Sequence, residues 1–170
     1  LNSLMLGGIL VNDRKTRSPS RIVLNEKSFA DEVWSFFGSG TNLQELYINP
    51  HNLTEAMWDE LATAARWSRD NSDVPVDTHW IGGDPGEGEV YGWASWRPGK
   101  GILVLRNPSS VSKEFTLSTD AALELPAGAD ATMVPSVVYP QNKKFPTWNP
   151  EVKESFSLTL QPFESIVIEL

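Results

Sequence analysis

Aromatic side chains are the clearest candidates for chemistry in this 170-residue sequence, which contains seven tryptophans. Tyr91 and Trp93 lie two positions apart in a β-rich segment, so on a strand they would share one face, whereas Trp96 would lie on the other. An exposed pair of rings could stack against a sugar ring. A buried pair would pack against a neighbouring strand, and packing is the commoner role. Trp148, with a proline two positions away on either side, is a further candidate for sugar contact.

Two carboxylates are candidates because of the segments in which they lie. Asp13 follows the apolar run Leu4 to Val11, and Glu45 lies within the segment Leu43 to Ile48. Asp13 could contact a substrate at the end of a strand, although a charged surface loop is the commoner setting. Glu45 would either line an interior or form a buried ion pair, because a buried carboxylate needs a partner.

The acidic, glycine-rich segment Asp77 to Glu89 could be interpreted as a metal site, with Asp77, His79 and Asp84 as ligands and Glu87 and Glu89 as further oxygen ligands. His51 is the only other histidine of the sequence, and the segment lacks the ligand spacing typical of zinc or calcium sites. Its glycines do not predict a phosphate-binding loop, because no Lys-Ser/Thr pair follows them. We interpret the segment as a turn that joins two domains, with a calcium site as the alternative, and we assign no metal ligand and no cofactor.

Charge and composition restrict the partners. The 22 acidic residues outnumber the 14 basic ones and give a net charge of −8. This balance repels a phosphate backbone, so we do not expect nucleic acid. No apolar stretch approaches the ~20 residues that span a bilayer, so we do not expect a membrane partner. The chain has no cysteine, and its composition suits an oxidising or a reducing compartment equally well.

The first 70 or so residues alternate strand and helix patterns. Two apolar runs, Leu4 to Val11 and Leu43 to Ile48, are typical of strands buried on both faces. Helical spacing follows each run, from Glu26 to Phe37 and again from Thr54, the predicted N-cap, to about Asp70. The order strand, helix, strand, helix predicts a parallel sheet with crossover helices.

From about Val74 onward the pattern becomes that of short antiparallel strands. Two β-rich segments flank the turn Arg97 to Lys100 and predict a hairpin. The remaining strand candidates are Glu114 to Leu117, Ala131 to Tyr139, Ser155 to Leu160 and Ser165 to Leu170. Six short strands without a helix predict an antiparallel β-sandwich. We therefore predict an α+β fold that divides into residues 1–73 and residues 74–170.

This order of motifs resembles the C-terminal end of melibiase-type (α-galactosidase-like) glycoside hydrolases. The resemblance lies in the apolar run Leu4 to Val11, the Phe37-Gly38 turn, the Glu45-Leu46 pair and the closing segment Gln161 to Leu170. It implies a (β/α)8 barrel followed by an antiparallel β domain. Residues 1–73 would then be the last two β/α units of the barrel, and residues 74–170 the terminal sandwich.

The resemblance also implies a chemistry, the hydrolysis of α-glycosides by a nucleophilic and an acid/base carboxylate roughly 5–5.5 Å apart. In such enzymes these carboxylates lie on the fourth and sixth barrel strands, which would precede Leu1. We therefore assign no catalytic residue to this chain. The candidate substrate contacts are Asp13, Glu45, Tyr91, Trp93 and Trp148. The resemblance further favours an extracellular or periplasmic location, which the composition does not specify.

Three functions agree with these observations. The chain could complete and cover the barrel of a glycoside hydrolase-like protein, it could act alone as a carbohydrate-binding module, or it could be a protein-interaction fragment. The two parallel strands need neighbours that residues 1–170 do not supply, because open apolar edges recruit further strands. We expect them to pack on a missing barrel portion or to drive self-association, most simply as a two-fold dimer.

Overall fold

The computed structural model describes residues 6–11, 25–41, 43–129, 134–144 and 155–170. The elements in chain order are β1 (Leu6–Val11), α1 (Glu26–Gly38), β2 (Leu43–Ile48), α2 (Glu55–Asp70), β3 (Thr78–Gly82), β4 (Tyr91–Arg97), β5 (Lys100–Arg106), β6 (Lys113–Leu117), α3 (Thr119–Ala122), β7 (Ser136–Tyr139), β8 (Phe156–Leu160) and β9 (Ser165–Glu169). Asp13, Trp148 and the beginning of the predicted strand Ala131 to Tyr139 lie outside the described residues.

Strands β1 and β2 pair in parallel, as the alternation of strand and helix patterns predicts, with Leu6 opposite Leu43 and Val11 opposite Ile48. The prediction that Leu43 to Ile48 is buried on both faces is wrong for this chain. Leu43, Leu46 and Tyr47 are 55 %, 50 % and 57 % exposed. Ile48 packs against the core beneath the helices, so the described part of the chain covers β2 only in part.

Both long helices begin at residues whose side chains cap them. The Asn25 side chain accepts a hydrogen bond from the backbone N–H of Ser28 at 2.9 Å, and the Ser28 hydroxyl lies 3.2 Å from the Asn25 N–H, so α1 begins with a capping box. Thr54 Oγ1 accepts from the Met57 N–H at 3.3 Å, which confirms the predicted N-cap of α2. These caps satisfy amide groups that the helices themselves leave unpaired.

The end of α1 depends on two glycines with different roles. Gly38 is the last helical residue, and a Cβ built there would overlap the Val104 side chain of β5, so its absence lets the helix approach the sheet. Helix α1 thus ends one residue beyond Phe37, the last residue of the predicted helical pattern. Ser39 is the C-cap, and Gly40, with φ of +76°, takes the left-handed conformation that turns the chain.

The second half forms a five-stranded antiparallel sheet in the order β3-β4-β5-β9-β7, with the separate pair β6–β8. The predicted hairpin is present, with Arg97 opposite Lys100. Two expectations are corrected. Thr78–Gly82 is the edge strand β3 rather than part of a connecting turn, and α3 interrupts a region predicted to lack helices. The glycines and acidic residues after Gly82 favour a turn, and they led to the assignment of the β-forming residues Thr78 to Ile81 to that turn as well.

The five-stranded sheet is the middle layer of the molecule. Its side chains alternate between the two faces and contribute to two hydrophobic cores, one on each side of the sheet. Ile102, Val104 and Val167 point toward α1 and α2, where they pack with Trp34 and other buried helix residues. The neighbouring positions of β5 and β9 point the other way. They pack with the apolar side of β6 and β8, which makes this half a β-sandwich. The division of the chain at residues 73 and 74 stays a prediction.

Candidate functional site

The helix side of the five-stranded sheet is covered unevenly. Helix α1 packs on β5 and β9, near the middle of the sheet, while β3 forms one edge. Trp80 of β3 stands directly opposite Trp93 of β4, and Tyr91 lies two residues before Trp93, so all three rings share the helix side. We refer to Trp80, Tyr91 and Trp93 as the aromatic patch.

The rings of the aromatic patch contact one another in a defined geometry. Trp80 stacks on Tyr91, with ring centroids 4.9 Å apart and an interplanar angle of 9°. Trp93 meets both of them edge-on, at 5.9 Å from Trp80 and 5.6 Å from Tyr91. Offset-stacked and edge-to-face pairs are the favoured arrangements of aromatic rings. Trp80 nevertheless remains 49 % exposed, whereas Tyr91 and Trp93 are half-buried.

The stacking of Trp80 on Tyr91 follows from the sequence of β3. Gly82 stands opposite Tyr91 and has a φ of +87°, and a Cβ there would overlap the carbonyl oxygen of Val90. The register position across from Tyr91 therefore carries no side chain. The indole of Trp80 covers the ring from the diagonal position, as aromatic residues do beside edge glycines.

An ion pair lies beside the aromatic patch. Arg106 of β5 stands opposite Tyr91, and its guanidinium donates to the carboxylate of Glu32 on α1. Burial favours the neutral form of Tyr91 and is the main cause that raises its pKa, while Arg106 lowers it and Glu32 raises it. Burial disfavours the charged form of Arg106 and is the largest single effect on its pKa, but the hydrogen bond to Glu32 and the charges of Glu32, Tyr91 and Asp31 together outweigh it and raise the pKa of Arg106. Arg106 therefore keeps its positive charge beside the Glu32 carboxylate.

The structure thus brings together two of the five candidate residues, Tyr91 and Trp93, and adds Trp80, which the sequence analysis missed. Trp80 precedes Gly82 in a short stretch of β-forming residues, and recognising that stretch as a strand would have placed it in register with Trp93. Trp96 points to the opposite face, as predicted, and packs against the sandwich core.

Glu45 is not part of the aromatic patch. It lies on the incompletely covered strand β2, where it accepts a hydrogen bond from the Tyr47 hydroxyl. This bond raises the pKa of Tyr47. Within the described residues the partner of Glu45 is thus a hydroxyl rather than the cation of a buried ion pair, because β2 is too exposed to require one.

The polar groups of the acidic, glycine-rich segment bind the chain itself. A ring nitrogen of His79 bonds to the carbonyl of Ala122, the Asp84 side chain accepts from the Gly86 N–H at 2.7 Å, and Glu89 accepts from the Asp84 N–H at 2.8 Å. Among the residues that the structure describes, no group of three or more histidines and acids could hold a metal ion. In the same part of the chain, none of the helices has the length and apolar character to cross a bilayer.

Several solved structures with names of glycosidases match this fold. They include an α-galactosidase I from Mortierella vinacea (10 % identity, TM-score 0.56), a GH27 β-L-arabinopyranosidase from Geobacillus stearothermophilus (13 %, 0.56) and a Bacillus halodurans protein assigned provisionally as an α-N-acetylgalactosaminidase (16 %, 0.61). Each match covers 86 % of this chain and 36 %, 31 % and 32 % of the other chain, respectively. The resemblance found in the sequence is thereby confirmed at the level of the fold, and the chain spans about a third of these proteins.

Comparison of the sequence alone gives no such match. No protein-family model matches the chain, and no curated protein matches it.

Proposed function

We propose that this chain is the C-terminal part of a glycoside hydrolase-like protein, in which it completes a (β/α)8 barrel and covers it with a β-sandwich. The observation that carries the proposal is the parallel pair β1–β2, whose second strand leaves Leu43, Leu46 and Tyr47 at least half exposed. Parallel strands normally belong to larger sheets with both faces covered. Two strands alone are marginal in water, so β2 needs a further layer.

The free energy that burial of these exposed side chains would contribute supports this interpretation. Fully burying a leucine-sized side chain contributes about 1.5–3 kcal/mol relative to leaving it exposed. Half-exposed side chains at Leu43, Leu46 and Tyr47 therefore leave a few kcal/mol unrealised. A whole domain is stable by only about 5–15 kcal/mol. The remaining strands of a barrel would supply the missing neighbours.

Hydrogen bonds join the two long helices to the sandwich, as expected if the sandwich covers a barrel. Asp31 of α1 accepts from the Tyr139 hydroxyl at 2.9 Å and from the Ser165 N–H at 3.2 Å. Trp67 of α2 donates to Glu169 of β9 at 2.6 Å. These bonds and the shared core make α1 and α2 a layer between β1–β2 and the five-stranded sheet.

We propose that the catalytic residues lie in the rest of the longer protein. The resemblance places the two catalytic carboxylates on the fourth and sixth barrel strands, before β1. We therefore assign the hydrolysis of α-glycosides to the longer protein and propose that residues 1–170 alone are inactive. Two proteins with this fold are named as an α-galactosidase and, provisionally, an α-N-acetylgalactosaminidase. We therefore choose α-galactosides as the first substrates to test.

The test compares this chain with the full polypeptide encoded by the same reading frame. Hydrogen exchange should find the amides of β2 exchanging quickly in the isolated chain and at least tenfold more slowly in the full polypeptide. Amides of β5, which is buried within this chain, serve as the control. Aryl α-galactosides should be hydrolysed by the full polypeptide only. Equal exchange of β2 in both proteins, or turnover by the isolated chain, would refute the proposal.

A further inference from the structure

The aromatic patch lies on the part of the five-stranded sheet that α1 and α2 cover least. We propose that the patch is the docking surface for the barrel helix that would precede β1 in the longer protein. The inference rests on the proposed function, because only a barrel supplies that helix. It goes further by naming the surface of the sandwich that the rest of the barrel contacts.

Helix α1 lies between α2 and the aromatic patch. The ring of Trp34 on α1 contacts both Trp67 of α2 and Tyr139 of β7, with centroids 5.4 Å apart in each pair. Helix α2 therefore lies toward β7, one edge of the sheet. On the other side of α1, Glu32 bonds to Arg106 of β5, the strand that pairs with β4. The order across the sheet is thus α2, α1 and then the aromatic patch.

The open part of the sheet is about as wide as one helix. Neighbouring strands lie about 4.8 Å apart, so β3 and β4 together provide roughly 10 Å. Packed helices lie about 8–10 Å apart, axis to axis. A third helix beside α1 would therefore lie over β4 and β3, where it would cover the open face of Trp80, which is 49 % exposed.

The order of a barrel determines which helix this is. In a (β/α)8 barrel each strand is followed by a helix, and the helices form an outer ring around the strands in chain order. Helix α1 follows β1 and α2 follows β2, so α2 is one neighbour of α1. The helix that precedes β1 is the other neighbour, and it belongs on the side of α1 where the patch lies.

The direction of this helix follows from that of α1. Glu32, in the first half of α1, bonds to Arg106 at the end of β5, whereas Gly40, just after α1, lies against Thr78 at the beginning of β3. Helix α1 therefore begins at the end of the sheet where β3 finishes. The helices of a barrel run parallel to one another, so the preceding helix would begin at the same end.

The charge at that end of the sheet complements the beginning of a helix. The turn between β3 and β4 carries the exposed acidic residues Asp84, Glu87 and Glu89. The N-terminal end of a helix has a partial positive charge, and nearby carboxylates stabilise it. Further along, the open indole face of Trp80 would meet apolar side chains of the helix. The stacking of Trp80 on Tyr91 holds that face in a fixed orientation before the helix docks.

The first experiment measures how quickly hydroxyl radicals oxidise Trp80 in this chain and in the full polypeptide encoded by the same reading frame. We expect oxidation of Trp80 to be at least fivefold slower in the full polypeptide, because the helix covers the open indole face. Phe163, 55 % exposed in the turn between β8 and β9, is the matched control. Its oxidation rates in the two proteins should agree within twofold.

Hydrogen exchange of β2 in the same samples separates this inference from the proposed function. Slow exchange of β2 in the full polypeptide, with unchanged oxidation of Trp80, would overturn the inference and leave the barrel standing. The patch would then be free for a ligand or a second copy of the protein. Fast exchange of β2 in the full polypeptide would refute the barrel and the inference together.

Cross-linking identifies what covers the patch. In the full polypeptide, Trp80 is replaced by photoreactive benzoylphenylalanine, which keeps an aromatic side chain at this position. The same replacement of Phe163 is the control. Mass spectrometry should find the cross-link from position 80, and not that from position 163, in the helix that directly precedes β1 of the same polypeptide. A cross-link from position 80 to a second copy or to another segment, or no cross-link at all, would overturn the proposal.

Discussion

The Tyr139 hydroxyl on β7 donates a hydrogen bond to the carboxylate of Asp31 on α1, across 2.9 Å and 108 positions of the sequence. The same carboxylate oxygen accepts from the backbone N–H of Ser165 at 3.2 Å, and the other carboxylate oxygen lies 2.6 Å from Lys27 Nζ. Asp31 is 4 % exposed. One buried carboxylate thus joins a helix to two strands of the sheet, and it has a charged partner as buried carboxylates require.

Replacement of Asp31 by alanine should therefore be strongly destabilising. The Tyr139 hydroxyl and the Ser165 N–H would remain buried without this acceptor, which costs about 1–3 kcal/mol for each group. We expect a loss of roughly 3–5 kcal/mol, the range for breaking a buried charged network. Urea denaturation measures it, with Asp59→Ala, an exposed position on α2, as the control. A loss below 1 kcal/mol would show that water replaces the carboxylate.

The same contact predicts how stability depends on pH. Burial, followed by the charge of Asp31 and its hydrogen bond, raises the pKa of Tyr139 far above its ordinary value of 10.0. The folded state therefore holds the Tyr139 proton at a pH where the unfolded state has released it. The sign follows from this difference, because stability falls with pH wherever the folded state binds more protons. Below pH 10 this contribution is fully present, and it is lost as the pH rises further.

Tyr139→Phe should remove this dependence. At pH 7 the variant should be less stable by about 1–2 kcal/mol, because Asp31 loses a donor. Above pH 10 the stability of the unmodified protein should fall more steeply than that of the variant, by up to about 1.4 kcal/mol per pH unit for a single group. Chemical denaturation at intervals between pH 7 and 11 measures both curves. Parallel curves across the whole range would contradict the assignment to Tyr139.

A third prediction concerns the contact between the end of α1 and β5. Gly38→Ala would place a methyl group against the Val104 side chain, and overpacking of this kind costs about 1–3 kcal/mol. Val104→Ala removes the atoms that clash, so the double variant should be more stable than the sum of the two single losses predicts. Urea unfolding of the four proteins completes the cycle. Additive losses would show that α1 shifts away from the sheet rather than meeting Val104.

The cap of α2 gives a fourth prediction. Thr54 Oγ1 accepts from the Met57 N–H at 3.3 Å and also lies 3.0 Å from the Glu26 carboxylate of α1. Thr54→Ala should cost about 1 kcal/mol, and Thr54→Ser, which keeps the hydroxyl, should cost less. Thr63→Ala in the middle of the helix is the matched control and should be neutral or slightly stabilising, because alanine favours helices. Thermal denaturation distinguishes these variants if all four proteins unfold reversibly.

The sequence predicts best those structural features that depend on residues close to one another in the chain. The Thr54 cap, the hairpin at Arg97 to Lys100 and the opposite faces of Trp93 and Trp96 all depend on residues within a few positions of one another. The parallel pairing of β1 and β2 also follows from the order of the elements. These features need only local geometry and periodicity.

The missed features depend on distant partners. β3 is short, and its pairing with β4 becomes evident only in the register that places Trp80 against Trp93. Asp31 resembles any acid in the first turns of a helix until Tyr139 and Ser165 fold onto it. The apolar residues of β2 predict a buried strand but do not show which part of the protein covers it. The same pattern fits a strand whose covering layer is supplied by another part of the protein.

The exposed apolar side chains of β2 lead to the last prediction, that the isolated chain self-associates. Leu43 and Tyr47 on one face of the strand and Leu46 on the other stay exposed on a two-stranded sheet, and open apolar edges recruit further strands. A two-fold dimer is the simplest arrangement that covers this surface twice. Light scattering at rising concentration should show a dimer, and Leu46→Glu should shift the midpoint of assembly at least tenfold. Val76→Glu, at a position 70 % exposed in the α2–β3 connection, is the control and should leave the midpoint unchanged. A monodisperse monomer at high concentration would show that β1 and β2 need no partner, which would also remove the main support for the barrel.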